Sequence, residues 1–187
     1  MPLVNIPTTN SITNPISPTN WYAVYTKSRF EKKLSKALQK AGYEVFLPLI
    51  IEKRIWSDRI KKVQVPLFPS YLFLKIDKSS LSDIYYYNGV VKFITIGGEP
   101  CIIKEKEIDF IKSIVDNQLP VENTSCCQVG DLVRILSGPL QGWKGNVISR
   151  LDNSKILFNL EGIQQTICVT VNDSDIEIIC DSLTSSI

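Results

Sequence analysis

The chain has 187 residues, a net charge of +2, five cysteines and no histidine. With no histidine and no Cys-x-x-Cys pair, it lacks the parts of a zinc site and of a Cys/His nucleophile. It shows neither a membrane-spanning apolar run nor a secretory signal, so we expect a soluble, cytoplasmic protein with reduced thiols.

The first twenty residues contain four prolines and no charged side chain, and we expect them to be a flexible lead-in. Residues 21–26 then predict a strand. Ser28 and Glu31 have the spacing of a capping box, which predicts a helix with Ser28 as its N-cap and Gly42 as its left-handed stop. Apolar residues recur along this helix at helical spacing, namely Phe30, Leu34, Ala37, Leu38 and Ala41.

The other face of this helix is basic, and it is followed by a predicted hairpin that is also basic. The hairpin turns at residues 57–59, and its arms carry Lys53, Arg54, Lys61 and Lys62. Residues 21–80 hold 13 Lys/Arg against 5 Asp/Glu, whereas residues 81–187 hold 8 against 14. Such an uneven distribution of charge favours binding of a polyanion such as nucleic acid, although clustered lysines also keep a helix solvated.

A stretch with two prolines follows the hairpin, Pro66-Leu67-Phe68-Pro69-Ser70-Tyr71. The prolines forbid a helix and stiffen the approach to an alternating strand at 71–76, so Phe68 and Tyr71 are held at a fixed bend. We expect a rigid docking surface there, with Leu72 and Leu74 on the side opposite Tyr71 and Phe73.

The remaining elements of this half are a short helix near 80–87, a strand at 90–96 ending at Gly97-Gly98, and a helix at 105–115. The last helix has Ile108, Ile111, Ile114 and Val115 on one face. This order of strands, helices and a hairpin favours an antiparallel α+β layer.

Periodicity ends at residues 116–128, where we place a linker. Five short alternating strands are predicted beyond it, at 132–136, 145–150, 156–160, 165–171 and 176–179. Five strands in so few residues are best closed as a small barrel. The predicted domains are therefore 21–115 and 129–180, with a tail at 181–187.

Two sets of motifs carry a resemblance to a known family. Val129-Gly130-Asp131 with Gly138-Pro139 and Gly142-Trp143-Lys144-Gly145 resembles the KOW motif of small SH3-like barrels. Trp21-Tyr22, the Phe68-Pro69-Ser70-Tyr71 segment and Val91-Lys92-Phe93 resemble, in the same order, the amino-terminal domain of the NusG family of transcription elongation factors. The resemblance implies a NusG-like domain followed by a KOW barrel.

The resemblance implies that aromatic residues of the first domain grip the clamp helices of the largest RNA polymerase subunit. Phe68 and Tyr71 would carry the grip, with Tyr25 and Phe93 as neighbours. The alternative is that some of these rings belong to the hydrophobic core, because one face of each strand must pack against it.

The run from Trp56 to Tyr71 resembles UpxY-type antiterminators of capsular polysaccharide operons and, more distantly, RfaH. This implies recruitment to one operon through non-template DNA or nascent RNA. The implied contacts are Lys27, Arg29, Lys33 and Lys36, joined by the hairpin cations Arg59, Lys61 and Lys62.

The resemblance further implies that the barrel can contact ribosomal protein S10 or Rho, with Trp143 and Ile163 as the expected contacts. Trp143 is either such a contact or a lid on the barrel core. No catalytic constellation and no cofactor motif is found, so we expect a monomeric binding protein rather than an enzyme. Two alternatives to an operon-specific antiterminator stay open: a housekeeping NusG factor, and a ribosome-associated KOW protein that binds RNA.

Overall fold

The computed structural model describes residues 18–56, 59–123, 132–150 and 154–179. Parts of several predictions lie outside these residues: the lead-in up to residue 17, the hairpin turn at 57–58, the linker from 124, the KOW residues 129–131 and the tail. Within the described ranges, no helix is long and apolar enough to cross a membrane.

Helices and short strands alternate through the first half, and strands make up the second. The helices are α1 (Glu31–Lys40), α2 (Leu81–Ile84) and α3 (Glu105–Asp116). The strands up to α3 are β1 (Asn20–Thr26), β2 (Glu44–Phe46), β3 (Leu49–Ile55), β4 (Ile60–Pro66), β5 (Tyr71–Ile76), β6 (Val90–Phe93), β7 (Thr95–Ile96), β8 (Glu99–Pro100) and β9 (Ile102–Ile103). Those after α3 are β10 (Val121–Asn123), β11 (Leu132–Ile135), β12 (Lys144–Arg150), β13 (Ser154–Leu160), β14 (Gln165–Val171) and β15 (Ile176–Ile178).

An antiparallel sheet forms the centre of the first half, in the order β2-β5-β1-β6, with β9 also paired to β1. Both central strands are buried on their two faces, because β1 and β5 are almost wholly apolar rather than alternating with polar residues. The predicted α+β organisation with an antiparallel sheet is confirmed.

Each face of this sheet belongs to its own core. Tyr22, Val24, Leu72 and Leu74 share a core with α1 and α2. The residues between them point the other way, and there Trp21, Ala23 and Phe73 share a core with Ile108, Ile111 and Ile114 of α3. The predicted separation of Leu72 and Leu74 from Tyr71 and Phe73 is therefore confirmed.

The start of α1 differs from the prediction. The N-cap residue is Phe30, no side chain caps the helix, and the capping box of Ser28 and Glu31 is not formed. The carboxylate of Glu31 accepts a hydrogen bond from a distant backbone N–H instead, which removes it from the local cap. The helix also buries Glu31, Leu34, Ser35 and Leu38, whereas the predicted stripe residues Ala37 and Ala41 are exposed.

The predicted basic hairpin is formed by β3 and β4, which make a two-stranded sheet of their own. Backbone bonds between Trp56 and Arg59 close its end in both directions, at 2.8 and 3.3 Å. The predicted strand at 90–96 is divided into β6 and β7, and β7 turns back through Gly97 and Gly98 to pair with β8.

The second half forms an antiparallel sheet of six described strands in the order β10-β14-β13-β12-β11-β15. The five predicted strands all occur, and a sixth, β10, lies within the stretch predicted as linker. Gly145 of β12 has no room for a side chain, because an added Cβ would lie 2.5 Å from the carbonyl oxygen of Leu157. This close approach is the physical need for a glycine there.

A single core cluster joins the two halves. Phe110 of α3 was not part of the predicted apolar face, and its ring lies 4.5 Å from that of Trp143 and 4.7 Å from that of Phe158. The backbone N–H of Gly162 donates to Glu107 Oε1 at 3.2 Å. Helix α3 is thus packed between the central sheet and the second half of the chain.

Candidate functional site

Several hydrogen bonds hold the bend between β4 and β5. The N–H of Ser70 donates to Glu31 Oε1 at 2.8 Å, and the N–H of Thr26 donates to the carbonyl of Ser70 at 2.8 Å. The N–H of Tyr71 donates to the carbonyl of Phe68 at 3.2 Å. Ser70 has φ +66°, a backbone conformation that a serine adopts only when its surroundings enforce it. These bonds and the two prolines restrain the backbone of the bend.

Tyr25 and Tyr71 form the exposed part of this region. They are direct cross-strand neighbours of β1 and β5, and their rings meet edge to face with centroids 5.4 Å apart. Both are half-buried. An edge-to-face pair is an orientation that aromatic rings prefer, so the two phenol rings hold one another in place.

The other two predicted polymerase contacts are core residues here. Phe68 is 2% exposed and packs its ring against Phe73, with centroids 6.3 Å apart. Phe93 is also 2% exposed, but it lies on the opposite face of the sheet, against Tyr22 and Tyr85. The register explains this, because Phe93 is paired with Val24 and therefore shares the face of Val24 rather than that of Phe73.

The four cations predicted on the loop before α1 and on the helix itself are exposed: Lys27, Arg29, Lys33 and Lys36. Arg29 has φ +64°, an unusual value for a residue with a side chain. The ammonium of Lys33 lies 5.5 Å from the ring centroid of Phe30. The N–H of Lys27 donates to the carbonyl of Gly89 at 2.8 Å, which ties this loop to the turn before β6.

The hairpin cations stand next to this helix. Lys61 is paired with Arg54 and Lys62 with Lys53, and all of them are exposed, as is Arg59. The ammonium of Lys32 donates to the carbonyl of Gln64 at 2.7 Å and so links α1 to β4. A groove of about 400 Å³ lies between the two elements, with Arg29, Lys32 and Arg54 among its lining residues. Of the cations predicted to contact nucleic acid, Arg29 lines this groove, and the carboxylates of Glu31 and Glu52 line it as well.

The two predicted partner contacts of the second half face the first half instead. Ile163 is 2% exposed and belongs to the joint core. Trp143 is half-buried and packs on Phe110. In this arrangement Trp143 covers α3 as well as its own sheet, and Ile163 is not open to a partner.

Outside these surfaces, Asp77 has the clearest electrostatic role. Its carboxylate accepts hydrogen bonds from the hydroxyls and backbone N–H groups of Ser79 and Ser80, which caps the short 3₁₀ turn Lys78–Ser80. These bonds, with the Ser79 hydroxyl the largest contributor, lower the pKa of Asp77. The Lys78 ammonium lies 2.8 Å from a Glu99 oxygen, and this bond raises the pKa of Lys78 and lowers that of Glu99.

Within the described part, Cys101 and Cys168 form no disulfide, and burial raises the pKa of Cys101. No group of three or more His, Cys, Asp and Glu that could hold a metal ion occurs in the ranges that the structure covers. The main surface features of the described part are thus an aromatic pair on the bend and a groove lined by both cations and carboxylates.

Comparisons with known proteins find a matching family model and several similar proteins. Residues 19–112 match the family model described as "Transcription termination factor nusG". The chain is 24% identical to the transcription termination/antitermination protein NusG of Helicobacter pylori over 172 residues, 84% of this chain and 97% of the relative. It is 28% identical to the NusG protein of Staphylococcus carnosus over 144 residues, 68% of this chain and 77% of the relative.

A similar solved structure is described as "Domain interaction in Thermotoga maritima NusG". It is 24% identical and aligns with a TM-score of 0.54 over 86% of this chain and 97% of that chain. At this identity the likeness shows the fold alone.

Proposed function

Because the chain belongs to the NusG family of transcription termination and antitermination factors, we propose that it is an operon-specific antitermination factor. It binds RNA polymerase and suppresses pausing or premature termination in a surface-polysaccharide operon. The observation that carries the proposal is the aromatic pair of Tyr25 and Tyr71, fixed on a rigid bend beside a basic groove.

Tyr25 and Tyr71 make the direct contact with the clamp helices of the largest polymerase subunit. Their half-exposed rings combine apolar area with phenol hydroxyls, a combination that is enriched in protein interfaces. Phe68 acts from below as a buried support, since it lies under the bend and against Phe73. Phe93 supports the other face of the sheet and is not part of the contact surface in this proposal.

Nucleic acid in the transcription complex lies against the basic groove. Lys27, Arg29, Lys33 and Lys36 supply phosphate contacts from the loop and α1, and Arg59, Lys61 and Lys62 supply them from the hairpin. Such contacts give affinity that falls as salt rises, and they do not read sequence.

The operon-specific role rests on the resemblance of residues 56–71 to specialised paralogues. A housekeeping role is the second candidate, and the relatives named NusG favour it. Binding of ribosomal protein S10 or Rho through Trp143 and Ile163 would first require the second half to leave α3, because Ile163 is buried there. The acidic second half disfavours a KOW protein that binds ribosomal RNA.

The two candidates differ in how many transcripts they affect. We expect deletion of the gene to reduce transcription in the distal part of one polysaccharide operon and to leave other transcripts unchanged, as measured by sequencing nascent RNA. A change in most transcripts, together with a general growth defect, would favour the housekeeping role.

A further inference from the structure

The end of the β3–β4 hairpin carries a large aromatic side chain that the fold does not use. Trp56 is 54% exposed, and it belongs to neither of the two core clusters. Lys61 holds its ammonium 5.7 Å from the centroid of the Trp56 ring, within the range of a cation–π contact. The indole is thus oriented by the hairpin itself while its surface is presented to solvent.

Strand alternation divides the hairpin into two different faces. Arg54 and its cross-strand partner Lys61 share one face with Trp56. Lys53 is paired with Lys62, and Ile55 with Ile60, on the other face. We call the first of these, Arg54, Trp56 and Lys61, the tryptophan face.

The tryptophan face continues into the basic groove. Residues of the same strand face, Ile50, Glu52 and Arg54, line that groove opposite Arg29 and Lys32. Two carboxylates also line the groove, and both are engaged within the protein: Glu52 lies 3.2 Å from Arg54, and Glu31 accepts the hydrogen bond from the N–H of Ser70. A chain that follows Arg29 and Arg54 would reach the exposed ring of Trp56 at the end of the hairpin.

We propose that Trp56 stacks on an unpaired base of a single-stranded nucleic acid whose phosphates follow Lys61 and Arg54 toward Arg29. The inference rests on the proposed function and deepens it by naming the side chain that stacks on an unpaired base. A cationic groove with an aromatic platform is the chemistry that single strands require, since an unpaired base offers the face that a duplex hides.

A protein partner fits this face less well. Residues 49–66 contain five cations against two carboxylates, and lysine is depleted in protein–protein interfaces. The exposed isoleucines that could attract a protein, Ile55 and Ile60, lie on the opposite face of the hairpin. Ile55 therefore serves as a matched control, because it neighbours Trp56 and is 86% exposed.

The test measures binding of the full chain, without polymerase, to a short labelled strand by fluorescence anisotropy at low salt. The strand is offered as single-stranded DNA, as RNA of the same sequence and as a DNA duplex. We expect Trp56→Ala to weaken binding to a single strand about tenfold and to leave duplex binding unchanged. Trp56→Phe should restore most of the affinity, and Ile55→Ala should bind like the wild type.

Salt dependence separates stacking from charge. Lys61→Gln should lower the slope of log affinity against log salt by about 0.7, the value for one phosphate of a single strand, whereas Trp56→Ala should leave the slope unchanged. A response confined to DNA or to RNA supports the proposal and identifies the strand.

Three results would overturn the inference: wild-type affinity of Trp56→Ala for single strands, an equal loss on duplex, or an equal loss in Ile55→Ala. If the wild type binds no strand at all, the nucleic-acid part of the proposed function fails with it. Polymerase binding through Tyr71 is measured separately and tests the polymerase-binding part of the proposed function.

Discussion

Glu31 lies 39 residues before Ser70 in the chain, yet its carboxylate holds the backbone of the bend that presents Tyr71. The spacing between Ser28 and Glu31 predicts a capping box. In the structure Glu31 instead accepts the hydrogen bond from Ser70, so this long-range contact replaces the local one. The alternation of side chains along strand β5 correctly predicted that Leu72 and Phe73 lie on opposite faces of the sheet. It could not assign Phe93, because the face of an isolated strand depends on the register with which it joins its neighbour.

The Glu31 contact leads to a prediction about stability. Glu31→Ala should lower the free energy of unfolding by about 1–3 kcal/mol, because it leaves the N–H of Ser70 without its acceptor in a part-buried position. Glu31→Gln keeps an amide oxygen as acceptor and should stay closer to the wild type. Urea denaturation of the three proteins checks this, and equal losses in both variants would show that the hydrogen bond is not the cause.

Among the elements, the strands of the second half were predicted to within one or two residues. Each has alternating apolar and polar residues between clear turn residues, so the local sequence pattern is enough to predict the strand. Strand β10 was missed because three residues carry no periodicity, and its pairing with β14 supplies the structure. The short helix α2 was predicted too long, since its residues continue in hydrogen-bonded turns up to Val90 rather than in helix.

The cap of the 3₁₀ turn Lys78–Ser80 predicts a dependence of stability on pH. The pKa of Asp77 is lower in the folded chain than its ordinary value of 3.8, so the carboxylate stabilises the fold above that pH. The contribution is lost as the pH falls through the folded pKa.

We therefore expect Asp77→Ala to lower the melting temperature at neutral pH, and the difference from the wild type to shrink as the pH falls below about 3.8. Asp77→Asn, which can accept a hydrogen bond but cannot titrate, is the control: its difference in melting temperature from Asp77→Ala should not change over this pH range. Thermal melts over a pH series measure both. A difference that stays constant into acid would exclude the carboxylate as its source.

At the scale of the whole molecule, the packing of α3 between the two halves was the least predictable feature. Phe110 lies off the predicted isoleucine face, and this was the one sign that α3 has a second apolar side. Its partner could not be inferred, because Trp143 and Phe158 are distant in sequence and were interpreted within their own sheet. The same packing buries Ile163, which the sequence offered as a contact for another protein.

Gly162 gives a way to test this packing. An added Cβ would lie 3.0 Å from Glu107 Oε2 and 3.1 Å from Ile103 Cγ1. We expect Gly162→Val to separate the halves while each stays folded, which should increase the radius of gyration in small-angle X-ray scattering.

The control for this variant is Glu161→Gln. It removes only the exposed ion pair with Lys104 and should change stability by less than about 1 kcal/mol, with an unchanged scattering profile. An unchanged profile for Gly162→Val as well would mean that the two halves do not depend on this contact.

The central claim is that the aromatic pair on the bend binds RNA polymerase. The most direct test is capture of polymerase by the wild type and by Tyr71→Asp, with circular dichroism to verify the fold of the variant. Because Tyr71 is half-exposed and Tyr86 is 88% exposed elsewhere on the surface, Tyr86→Asp is a matched control. We predict that the wild type and Tyr86→Asp retain polymerase and that the folded Tyr71→Asp protein does not. Retention by all three proteins would contradict the assignment of the binding surface, and retention by none of them would contradict the proposed function.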